Sequence, residues 1–307
     1  PYAKHVLSEY KIETLDVYEF DCSGVDSIED ALLKKVYTKG TTGYSLYSKQ
    51  DDFNSCLQLE LQLDADDIGK RIFLFVANAS GTGTSGTAQD LTLLTAADSV
   101  TVGEFMQSCS KEISTNEPAS PFLMTGISDT INLEEESVYS LPTIWMTRAV
   151  ARLDLETVLT NVNDSLEITS VRMKNVPSAT NLYPTSPSVN YSASTTYAAK
   201  TAADSDFVFQ DIGDRRLAKR VFYFYERDSS QFANFGTPTL YIEGRYKPEN
   251  GDEWVLVRYE IPFDRSIVRN YLYTVSLTVN NTLAGYKGSL MGIRTEKWQE
   301  EVIATDV

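Results

Sequence analysis

CLQLELQL, Cys56 to Leu63, places Leu57, Leu59, Leu61 and Leu63 alternately with Gln58, Glu60 and Gln62. A period of two residues sends one set of side chains inward and the other to solvent, which is the pattern of a half-buried β-strand. WVLVRYEIPF (Trp254 to Phe263) repeats it with Val255, Val257, Tyr259, Ile261 and Phe263, and YLYTVSLTV (Tyr271 to Val279) repeats it again. IFLFVA (Ile72 to Ala77) and VFYFY (Val221 to Tyr225) are apolar without a break, as expected of central strands covered on both faces. Many short strands with turn signals between them predict an all-β chain built of sandwiches.

Helices are expected to be few and short. Thr101 and Glu104 form a capping-box pattern before Phe105 and Met106, and Ser27 to Val36 is read as a second short helix. The Ser, Gly and Thr run from Ala79 to Ala88 reads as a loop, and so does the proline-bearing stretch from Asn181 to Asn190. A chain of 307 residues exceeds the usual single core, so two domains are expected. The acidic turn Glu134 to Glu136 and Pro142 precede a fresh strand pattern at Ala149 to Leu155, which puts the break near Thr147. The expected domains are therefore 1–147 and 148–307. Arg148 and Arg152, beside that break, are candidates to pair with carboxylates across it, with plain surface positions as the alternative.

The formal charge of −16 argues against a nucleic-acid partner, because phosphate recognition needs clustered Lys and Arg. Cys22, Cys56 and Cys109 are an odd set without metal-type spacing, so at least one free, buried thiol is expected. No apolar run is long enough to span a membrane, and the first residues lack a signal-peptide pattern. The chain is thus read as mature or trimmed, with any export signal or lipid-bearing cysteine preceding Pro1.

Chemistry is hard to place. His5, the only histidine, lies in the first residues, which removes Ser-His and Cys-His nucleophile pairs. No phosphate loop or dinucleotide fingerprint occurs. Asp64, Asp66 and Asp67 resemble the start of a calcium loop, but its twelfth position is Phe75 where a bidentate Glu is needed, so a solvated turn is the better reading. No catalytic residue, metal ligand or cofactor is assigned, and the chain is not expected to be an enzyme.

Several phrases, in order, resemble the fimbrillin family of Bacteroidales, the FimA-type and Mfa-like pilins of the type V superfamily. They are IETLDVYEF (Ile12 to Phe20), PFLMTG (Pro121 to Gly126), MTRAVARLDL (Met146 to Leu155) and ITSVRMKNVP (Ile168 to Pro177). VFYFYERD (Val221 to Asp228), TLYIEGRY (Thr239 to Tyr246), IVRNYLYTVSLTV (Ile267 to Val279) and Trp298 follow. The resemblance implies two transthyretin-like β-sandwiches in tandem, export as a lipoprotein precursor, and assembly at the outer membrane into a surface fimbrium that supports adhesion. It also implies that an N-terminal strand is cut away after an arginine, leaving a groove for a strand from a neighbouring subunit. No arginine precedes Pro1 in the chain, which departs from that pattern. The partners implied are other copies or related fimbrial subunits, with a host or bacterial surface ligand; membrane contact is only through the precursor's lipid.

A polymerising stalk subunit is the first expectation; a tip adhesin or a basal anchor is the second. A carbohydrate-binding or glycoside-hydrolysing sandwich is the alternative of another class, suggested by Trp145, Trp254, Trp298 and the tyrosines. The tail from about Ser289, after the Gly285-Tyr286 turn, is the candidate donor segment, with Leu290, Ile293, Trp298, Val302 and Ile303 as its apolar residues. Asp26-Ser27-Ile28, Asp98-Ser99-Val100, Asp129-Thr130-Ile131 and Asp164-Ser165-Leu166 resemble an O-glycosylation pattern of these bacteria, and turn or cap chemistry ranks above it at each.

Overall fold

A computed structural model describes residues 7–50, 55–63, 68–79, 94–95, 99–108, 117–135, 138–184, 194–205, 207–279, 290–297 and 301–305. His5, the Asp64 to Asp67 turn, nearly all of the Ala79 to Ala88 loop, Asp98, Cys109, Glu136, the Thr185 to Asn190 stretch, Gly285, Tyr286, Trp298 and Val307 lie outside these residues.

The fold is all-β. The first half supplies β1 (Leu15–Asp21), β2 (Leu32–Tyr37), β3 (Tyr44–Gln50), β4 (Ser55–Leu61), β5 (Gly69–Ala77), β6 (Met124–Ile127), β7 (Ile131–Leu133) and β8 (Ile144–Arg148). The second supplies β9 (Val150–Leu159), β10 (Ser165–Lys174), β11 (Val176–Pro177), β12 (Ser194–Thr195), β13 (Lys200–Thr201), β14 (Phe209–Ile212), β15 (Arg215–Tyr225), β16 (Thr239–Lys247), β17 (Val255–Pro262) and β18 (Tyr271–Val279). β19 (Leu290–Lys297) and β20 (Glu301–Thr305) come last, and the helices are α1 (Val102–Met106) and α2 (Phe232–Phe235).

One sheet runs β2-β1-β5-β6-β8-β20-β4-β3, with β7 also on β5. It folds over on itself, so that Leu15, Val17, Phe73 and Phe75 of β1 and β5 meet Leu59, Leu61, Ile144 and Met146 in one core. The opposite face of β1 and β5 is covered as well: Tyr18, Phe20, Ile72, Leu74 and Val76 pack under Val102, Phe105, Leu182 and Tyr183. Burial on both faces is why Ile72 to Ala77 carries no polar residue. α1 forms as its capping box predicts, with the Glu104 N–H donating to Thr101 Oγ1 at 3.2 Å and the Thr101 N–H donating to Glu104 Oε2 at 3.0 Å. Cys22 is a free, buried thiol.

In the second half, β14-β15-β9-β18-β19 packs on β13-β10-β16-β17 around Leu153, Leu155, Phe222, Phe224, Ile242, Tyr259 and Val275. β9 pairs antiparallel with β15 and parallel with β18.

The helix expected over Ser27 to Val36 is corrected: a 3-10 turn at Ile28–Asp30, capped by the Ser27 hydroxyl, leads into β2. Leu33 and Tyr37, four residues apart, imitate a helical period. A bulge opposite Glu19 and Phe20 shifts the β1–β2 register, so Leu33 joins one core and Tyr37 the other.

Candidate functional site

β4 and β8 do not pair with each other; β20 lies between them. On one side it is antiparallel to β8, with Glu301, Val302 and Ile303 opposite Met146, Trp145 and Ile144. On the other it is parallel to β4, with Ile303, Ala304 and Thr305 opposite Leu57, Gln58 and Leu59. A strand from the far end of the sequence therefore closes a slot in a sheet otherwise made wholly of first-half strands. Each wall of the slot is a row of backbone N–H and C=O groups that would be unpaired without it. Behind the walls, Leu59, Ile144 and Met146 are buried in the core. Gly126 on β6 backs β8 so closely that an added Cβ would stand 2.7 Å from Ile144 Cγ2 and 2.8 Å from Met146 Sδ.

Of the residues singled out in the tail, Leu290 and Ile293 fall on β19, and Val302 and Ile303 on β20. β19 pairs antiparallel with β18 along its whole length, from Leu290 opposite Thr278 to Lys297 opposite Tyr271. Ile293 is half-buried against the second-half core. The irregular spacing of apolar residues across the tail thus belongs to two strands in two sheets.

Arg148 is fully buried: Nε donates to the Glu9 carbonyl at 2.9 Å, Nη1 donates to Asn270 Oδ1 at 2.9 Å, and the guanidinium stacks 4.3 Å from the Tyr10 ring centre. Arg152 is bidentate to Asp154 and lies 3.4 Å from the Glu9 carboxylate. That carboxylate also accepts from Arg220 Nε at 3.0 Å and from the Tyr223 hydroxyl. Burial, then the Glu9 charge, pushes the Tyr223 phenol far up, so it stays a donor.

A second cluster escaped the sequence reading. Arg269 is bidentate to Glu226 and also donates to the Leu182 and Asn181 carbonyls at 2.7 Å each and to Thr180 Oγ1 at 3.0 Å. The loop it holds reaches into the first half, where the Tyr183 hydroxyl lies 3.0 Å from the Phe75 carbonyl oxygen and 2.8 Å from that of Gly126. No local signal names the partners in either cluster, since pairs such as Arg152 and Glu9, or Arg269 and Leu182, are set by topology. The Pro and Asn content of Asn181 to Asn190 signals a loop but not that its first residues are buried.

Among the described residues there is no group of three or more His, Cys, Asp or Glu able to hold a metal ion. The perturbed tyrosines Tyr183 and Tyr197 are pushed up by burial, and Arg227 is brought down to about 10 for the same reason. Trp145 and Trp254 are both partly exposed, and the Arg245 guanidinium lies 4.9 Å from the Trp254 ring centre. Among the described residues no helix is long and apolar enough to cross a membrane.

By sequence, neither a family model nor a curated protein matches the chain. By structure, it is similar to the tip fimbrial protein Mfa3 of Porphyromonas gingivalis, at 13% identity and a TM-score of 0.51 over 94% of this chain and 95% of that one. It is also similar to two candidate cell adhesion proteins of Parabacteroides distasonis. The first has a TM-score of 0.51 and 13% identity, over 97% of this chain and 94% of that one. The second has a TM-score of 0.53 and 13% identity, over 95% and 90%. The chain shares their fold. The likeness covers both halves.

Proposed function

We propose that this chain is a structural subunit of a bacterial cell-surface fimbrium, joined to other copies or related subunits by strand insertion and supporting adhesion, and that it performs no catalysis. The observation that carries the reading is the slot between β4 and β8, closed by a strand from the far end of the sequence. A slot of this kind binds any strand that offers a backbone ladder and suitable side chains, whether from the same chain or another. Likeness in fold to a fimbrial tip protein and to candidate adhesion proteins supports the same reading.

The chain divides near Thr147 into two sandwiches, a division supported by β8 ending at Arg148 and β9 beginning at Val150. The segment from Leu290 to Ile303 supplies the donor strand. Export as a lipoprotein precursor and passage across the outer membrane complete the proposal. A stalk subunit both gives and receives a strand; a tip subunit does only one of these, and mixing with vacant-slot and strand-only partners tells the two apart.

The test is deletion of Lys297 to Val307, with thermal unfolding and fibre formation measured side by side. The truncated chain is expected to keep its second-half transition and to form no fibres. A truncated chain that polymerises as the full chain does would overturn the assignment.

A further inference from the structure

We propose that the free chain caps itself: β20 fills its own slot, β19 is the latch that holds it there, and no copy donates β20 until β19 has left β18. The proposal rests on the strand-insertion reading above and adds the step that controls it.

The short link between β19 and β20 limits how far β20 can reach. Lys297, the last residue of β19, pairs with Tyr271, the first of β18. Tyr271 follows Asn270, whose N–H donates to the Val150 carbonyl at 2.8 Å and whose side chain holds Arg148. β19 therefore ends at the joint between the two halves. Glu301, the first residue of β20, pairs with Met146, two residues before Arg148 on the other side of that joint. Four Cα-to-Cα steps separate Lys297 from Glu301, a span of about 14 Å when fully extended. While β19 stays on β18, β20 can reach only a slot lying beside this joint. That place is taken by the chain's own first half, which the Glu9–Arg152–Arg220 and Arg269–Glu226 clusters hold in position.

The latch is also weakly fastened. β19 is the edge strand of its sheet. Of its residues whose burial is described, Gly292, Arg294, Glu296 and Lys297 are exposed, and only Ile293 packs against the core. Among the described residues Thr295 Oγ1, shut off from solvent, meets no hydrogen-bond partner, which favours release. Removing β19 exposes one edge of β18 and leaves Tyr273, Val275 and Leu277 in their core.

The experiment locks the latch. Leu272 and Glu296 stand directly opposite each other on β18 and β19. A full chain carrying Leu272→Cys and Glu296→Cys, oxidised or reduced, is mixed with a labelled chain lacking 301–307, whose slot is vacant, and the mixed dimer is counted by size exclusion. The reduced donor is expected to form the dimer as the wild-type donor does, and the oxidised donor at least tenfold less. Equal yields from oxidised and reduced donors would overturn the latch while leaving strand insertion standing. No dimer from any donor would overturn strand insertion and the latch with it. Hydrogen exchange on the unmodified chain gives a second reading that does not depend on the truncated partner folding. Amides 290–297 should exchange at least tenfold faster in assembled chains than in the monomer, and unchanged or slower exchange there would overturn the proposal.

Discussion

Replacing Arg269 with Met keeps most of the side-chain volume and removes the charge. Arg269 and Glu226 have side-chain exposures of 2% and 10%, so the substitution leaves a nearly buried carboxylate without its cation. Breaking a buried pair from one side costs about 3–5 kcal/mol. The Leu182 and Asn181 carbonyls and the Thr180 hydroxyl lose their donor as well, which holds the effect at the upper end of that range. At about 2–4 °C per kcal/mol for a body of 150–250 residues, the Tm should fall by roughly 6–20 °C. Calorimetry gives the shift, and exchange at the Leu182 and Tyr183 amides gives its location. Those amides donate to the Ser108 and Met106 carbonyls, so they loosen if the loop leaves the first half. Pairing Arg269→Met with Glu226→Leu removes the stranded charge and should recover about half of the loss. A single variant within about 3 °C of the wild type, or a large loss with both amides still protected, would refute the reasoning that this cluster joins the halves.

Burial raises the Asp16 carboxyl from 3.8 to about 6. Because the folded chain holds this proton more tightly than the unfolded one, the stabilising term is complete below about pH 4 and lost as pH rises through 6. Asp16→Asn should therefore add about 1–2 kcal/mol at pH 8, after discounting for partial exposure, and almost nothing at pH 3.5, by urea unfolding at the two values. Gly126→Ala forces a methyl group against Ile144, Met146 and the Trp145 carbonyl; it should cost about 1–3 kcal/mol and reduce exchange protection on β8 first. Tyr183→Phe withdraws the hydroxyl from the Phe75 and Gly126 carbonyls and should cost about 1–2 kcal/mol in chemical denaturation without altering the far-UV spectrum.

Periodicity carried most of the fold. The alternating leucines became β4 with Leu59 and Leu61 buried, and Val257, Tyr259 and Ile261 of β17 are buried with exposed residues between them. Tyr271 to Val279 is β18 to the residue. Such patterns are local, because facing a core is a property a strand expresses along its own length. The joint was legible only as the pair Arg148 and Arg152 beside a strand break. Glu9, the carboxylate Arg152 meets, lies 143 residues away, and Leu182 lies 87 residues from Arg269. Nothing in either neighbourhood records the other. β2 was misread because a bulge, which depends on pairing with β1, lets residues four apart face opposite cores. The strand between β4 and β8 could be seen in sequence only as apolar residues of no clear period, since its two neighbours belong to another part of the chain.

Ala149 is the single residue between β8 and β9, buried, with its N–H donating to the Leu123 carbonyl at 2.9 Å. A tensile load along a row of such subunits would pass through this residue, entering by the ladder that β8 makes and leaving by those of β9. Ladder bonds of antiparallel strands stand across the strand axis, so a pull along the axis strains them together, in shear, whereas a sideways pull opens them one after another. In a fimbrium joined as proposed, the chain would bear traction best end to end, and its weak direction would be the one that peels an edge.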